Sequence, residues 1–205
     1  MPGFALVGRI LFVLAMLLAA PARAEEIEVH NALLKTTDEA LLLSADFELE
    51  LSPRLAEWVA NGVPLHFVVE FELVRKRWWW FDEKTLTRRL QLRLSYHAVS
   101  RNYRLSSGTL QQNYASLNEA MNVLRRLRNW TVAERSALQP DGTYQASLRM
   151  RLDTSQLPRP FQLTALTSRD IVLESPWLRF DYRVPAATAP VPAPAPPVEP
   201  EEPRK

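Results

Sequence analysis

The sequence predicts a mainly β protein: an antiparallel two-layer β-sandwich, immunoglobulin-like in general architecture, with two short helices and a projecting tryptophan-rich hairpin. Two observations carry this expectation. Apolar and polar residues alternate over 41–51, 63–73 and 86–96, the period of strands with one buried face. Helix caps stand out at only two places, before Pro53 and before Leu117, so strands outnumber helices and must cover one another.

The elements follow in chain order. "IEVHNALLK" and "LLLSADFELEL" read as a first hairpin joined through Thr36-Thr37-Asp38-Glu39, with Leu41, Leu43, Ala45, Phe47 and Leu49 sharing one face. Ser52-Pro53 supplies an N-cap and a proline at N1 for a short helix that closes at Asn61-Gly62 and packs through Leu55, Trp58 and Val59. "YRLSSGTL" adds a short strand. Residues 116–130 read as an amphipathic helix opened by the capping box Ser116-Leu117-Asn118-Glu119, with Arg125, Arg126 and Arg128 near its C-terminal end. "TYQASLRMRLD" after Asp141-Gly142, a segment over 161–166 and a last one over 177–182 complete seven or eight strands.

The stretch "RKRWWWFDE" over 75–83 places three of the six tryptophans side by side. A two-residue turn at Asp82-Glu83 sets Leu73 opposite Leu92, Phe71 opposite Leu94 and Val69 opposite Tyr96, with Glu72 against Arg93 on the outer face. In that register Trp79 faces the core side, while Trp78 and Trp80 face outward. Arg75, Arg77 and Arg88 share Trp79's parity, and unpaired cations are too costly to bury, so the hairpin is expected to project past the sheet. Trp78 and Trp80 with Lys76 and Arg89 are then the candidate contact surface, since Trp and Arg dominate binding hot spots. The alternative covers these rings with the protein's own helix as a second small core.

Both ends are distinctive. Residues 1–24 have the form of a secretory signal peptide, with cleavage expected after Ala24 and a periplasmic destination. The chain has no cysteine, which excludes disulfides, Cys-based metal sites and a lipid anchor on an N-terminal Cys. Residues 25–184 are expected to form one domain, and 185–205 a disordered proline- and alanine-rich tail. Without Arg9 and Arg23 the expected mature chain is formally neutral, which argues against a nucleic-acid partner.

Signal peptide, "FELVRKRWWWFDE", "LTRRLQLRLSYHAVSRNYRL" and a proline-rich end together resemble the proteobacterial exported family catalogued as domain of unknown function 4390, often called proline-rich signal peptide proteins. The resemblance covers about residues 25–184. It implies an exported location in Gram-negative bacteria and no assigned reaction, so no catalytic residues carry over. It also implies genes near a nitrogen-type two-component sensor kinase, which makes a membrane sensor kinase one candidate partner.

Chemistry-bearing motifs are sparse. The mature chain has three isolated glycines, Gly62, Gly108 and Gly142, so no phosphate-cradling loop exists, and no nucleophile elbow or zinc-protease motif occurs. His66, Glu70 and His97 share an outer face in the expected register and are the one weak metal candidate. Glu48, Glu50, Glu70 and Glu72 read as a solvated sheet face. The expectation is a non-enzymatic binding or adaptor protein without cofactor, whose partner is another envelope protein. The alternative is a module for the membrane surface or an envelope glycan.

Overall fold

The computed structural model describes residues 27–75 and 83–185. The expected signal peptide, Lys76, Arg77, Trp78, Trp79 and Trp80, and the tail from residue 186 lie outside them. Among the described residues, β1 (Glu28–Thr36), β2 (Ala40–Glu48) and β7 (Arg126–Glu134) form one antiparallel sheet in the order β1-β2-β7. The second sheet is built from β3 (Leu65–Arg75), β4 (Glu83–His97), β5 (Asn102–Ser107), β6 (Leu110–Tyr114), β8 (Thr143–Leu152) and β9 (Leu178–Arg183). Its order is β6-β5-β4-β3-β8-β9. Three α-helices among the described residues, α1 (Pro53–Ala60), α2 (Leu117–Leu124) and α3 (Arg159–Thr167), accompany the sheets.

The fold is the mainly β sandwich the alternation predicts. Along β2, Leu41, Leu43, Ala45 and Phe47 are buried while their neighbours are not, and they join Phe67, Val69, Phe71, Leu148 and Met150 of the larger sheet in one core. Each of the larger of these side chains contributes about 1.5–3 kcal/mol by leaving water. β1 and β7 each carry a bulge, with Asn31 at φ 49 and Asn129 at φ 51, a conformation that asparagine tolerates better than most residues. Ser52 caps α1 by accepting from the Leu55 amide at 3.2 Å, and Gly62 at φ 86 ends it.

Three expectations are corrected. The helix expected over 116–130 stops at Leu124, and residues from Arg126 onward pair with β2, so Arg126 and Arg128 lie on a strand. The backbone groups at β2's edge need partners, and pairing there outweighs continuation of the helical stripe. The segment 161–166, expected as a strand, belongs to α3, where Pro160 fits the first turn and Phe161 and Ala165 turn inward at i, i+4 spacing. "YRLSSGTL" is a hairpin of two strands, β5 and β6, with Gly108 at φ 57 in the two-residue connection.

The fourth correction concerns the long hairpin. Leu73 stands opposite Leu86 rather than Leu92, Val69 opposite Leu90, Phe71 opposite Arg88 and Glu72 opposite Thr87. Arg75 pairs with Glu83, so Asp82-Glu83 is not the turn. A slip of six residues preserves the parity of every side chain, which is why the hydrophobic pattern accepts both registers. The observed one sets Leu65, Phe67 and Val69 against Leu94, Leu92 and Leu90. On the other side β8 follows β3 as far as Arg75, so up to that point the hairpin does not project alone.

Candidate functional site

β4 has fifteen residues, of which six, 92–97, pair with β5. The remaining nine, 83–91, pair with β3 on one side and with no strand on the other among the described residues. Among the described residues, alternate N–H and C=O groups along this stretch therefore face an open edge about 30 Å long. Leu86 and Leu90 lie on the core-side face of that edge, where they pack against the core and are only half-buried. Arg88 sits between them, opposite Phe71, and is exposed. A cation on core-side parity is tolerated here because its side chain keeps its contact with water.

The outer face of the same strands is organised around Glu70. Its side chain is 4% exposed, contrary to the solvated acid the alternation suggests. Arg149 Nε donates to Glu70 Oε2 at 2.6 Å, Arg89 Nε lies 3.1 Å from Oε1, and Arg151 Nε lies 3.6 Å from Oε2. Burial alone would raise the carboxyl's pKa. The hydrogen bond from Arg149 and the charges of Arg149, Arg151 and Arg89 outweigh it and hold the group below its ordinary 4.5. Arg149 also pairs with Glu174 and stacks over the Trp177 ring at 4.5 Å, while Arg151 lies 3.7 Å from Asp153. The register makes this possible: Glu70 stands opposite Arg89 on β4 and Arg149 on β8. The network is a clamp across three strands, and it leaves Arg89 69% exposed at its rim.

The weak metal trio does not form. Glu70 is committed to arginines, His66 stands opposite Arg93, and His97 stands opposite Asn102 with Nδ1 3.0 Å from the Ser100 hydroxyl. Eight residues separate Arg89 from His97 along β4, which puts His97 about 26 Å from Glu70 along the ladder. The proximity of Arg93 adds to burial in lowering the His66 pKa below 6.5. Elsewhere, His30 Nε2 lies 3.4 Å from carboxylate oxygens of both Glu28 and Glu48, a surface group with all three residues exposed.

The family described as "Domain of unknown function (DUF4390)" matches residues 24–181. The chain belongs to this family. No curated protein and no solved structure matches it. Of the contact residues the sequence nominates, this DUF4390 domain places Arg89 on the outer face, Arg88 on the core-side face and Arg75 opposite the buried Tyr144. Lys76, Arg77 and the tryptophans fall outside the described residues. Sequence reasoning missed Arg149, Arg151 and Trp177. Their signal, arginines on the outer parity of the 143–152 strand, becomes meaningful only once that strand is paired with β3.

Proposed function

We propose that this DUF4390 protein is an exported, non-enzymatic binding protein that acts as an adaptor in the cell envelope, with its contact surface on the β3–β4 hairpin. The observation that carries the reading is the edge at 83–91, where half-buried leucines and exposed arginines meet backbone that no described strand pairs. Open edges of this kind are ready templates for another chain, and the buried Glu70 network gives the hairpin a rigid base. The signal-peptide pattern supports export, and a membrane sensor kinase or another envelope protein fits an adaptor's role.

The test is photo-crosslinking in living cells from position 88 or 91, with position 111 on β6 as a control. One discrete protein adduct from 88 and 91, absent from 111, is expected. Adducts only to lipid or glycan would move the protein to a membrane- or glycan-binding class, and no intermolecular adduct would refute the contact surface.

A further inference from the structure

The open edge has a sign and a shape. From Lys84 to His97 the strand "KTLTRRLQLRLSYH" contains no acid, and Arg88, Arg89 and Arg93 are exposed along it. Arg88 and Arg93 have no ion-pair partner among the described residues, whereas Arg89 is tied at Nε to Glu70. A strand laid against this edge would be collinear with β5, because β5 occupies the same side of β4 from Leu92 onward. Its end would meet the β5–β6 turn. At that point Leu92, Leu105, Leu110, Val123 and Leu127 line an apolar groove of about 150 Å³, with Leu110 73% and Val123 40% exposed.

We propose that residues 83–91 accept an extended segment of a partner protein by strand addition, and that this segment alternates apolar residues with acids. Backbone pairing supplies the affinity common to all strands. Apolar side chains of the segment lie over Leu86 and Leu90, and the terminal one enters the groove beside Leu110. The carboxylates then all lie on the outer face, with Arg89 opposite and Arg93 diagonal to the end of the segment. A second copy of this chain is the poorer occupant. Edge-to-edge pairing of two β4 strands would gather the cations of both copies on one ladder with no acid from 84 to 97 to offset them, a device by which edge strands avoid self-association.

The proposal rests on the adaptor reading but can fail separately from it. The probe is a nine-residue capped peptide alternating valine and glutamate, compared with its valine–lysine counterpart, titrated into the mature protein while backbone amide exchange is followed residue by residue. The acidic peptide is expected to slow exchange at alternate amides within 83–91, and Arg93→Glu, at an exposed position on the outer face, to weaken it about tenfold. The lysine peptide is expected to leave these amides unchanged. No protection at 83–91, equal binding of the two peptides, or dimerisation of the free protein through this edge would overturn strand addition by an acidic segment. If that happens while positions 88 and 91 still crosslink to a protein in cells, the adaptor reading stands and only the mode of docking falls. Peptide protection without any crosslink gives the reverse.

Discussion

Glu70→Gln isolates the charge at the centre of the sheet while keeping its shape. In the wild type the carboxylate is nearly inaccessible and holds a 2.6 Å bond from Arg149, itself about a quarter exposed, and a weaker contact from the largely exposed Arg89. A hydrogen bond to a charged group contributes about 1.5–3 kcal/mol, and the exposed Arg89 contact contributes at most about 1 kcal/mol. Glutamine retains one acceptor oxygen, and both arginines can turn partly to water. The expected loss is therefore about 2 kcal/mol, or about 4–8 °C in Tm for a domain of this size.

The pH dependence follows from the direction of the shift. Glu70 titrates lower in the fold than the ordinary 4.5, so the native state holds fewer protons than the unfolded state in that window. Its contribution is complete above pH 4.5 and is lost as pH falls through the lower folded value. Urea unfolding of wild type and variant at neutral pH and below pH 4.5 measures this. The gap should be near its full size at neutral pH and should shrink in acid. A gap under about 0.5 kcal/mol at neutral pH, or one of equal size in both conditions, refutes the clamp.

Ser52→Ala removes the α1 cap from a buried hydroxyl and should lower stability by about 1 kcal/mol in the same assay. Tyr144→Phe takes away the oxygen that accepts from the Gln139 amide at 2.9 Å inside the fold, with an expected loss of about 1–2 kcal/mol. Arg93→Gln should raise the His66 titration midpoint, followed by proton NMR, because one of the two causes that lower it is gone. Since unfolded His66 takes up its proton near pH 6.5 and folded His66 only at lower pH, acidification through that window weakens folding, and the variant should weaken less.

The strands were legible wherever one face is buried and the other wet. β2 is the clearest case, with Leu41, Leu43, Ala45 and Phe47 all inward and Ser44 and Asp46 less buried. The register of β3 against β4 was not legible, because period-2 alternation is blind to a slip of six residues and Asp82-Glu83 was too weak a turn signal to fix it. Glu70 looked like a solvated acid because its covering arginines come from β4 and β8, and no local pattern announces a pairing between residues 70 and 149. The arginine-rich character of 84–97 was plain, but its meaning depends on β5 stopping at Leu92 and leaving the edge bare. In α3 the two prolines at 158 and 160 were the missed signal, since proline near a helix start is favourable and within a strand is not.

The measurement that bears most directly on the central claim is residue-resolved amide exchange of the purified protein without any partner. An open edge at 83–91 requires that alternate amides there exchange within minutes while those of β3, paired on both sides, stay protected far longer. Uniform protection along 83–91 would mean that the chain covers its own edge and has no binding surface there.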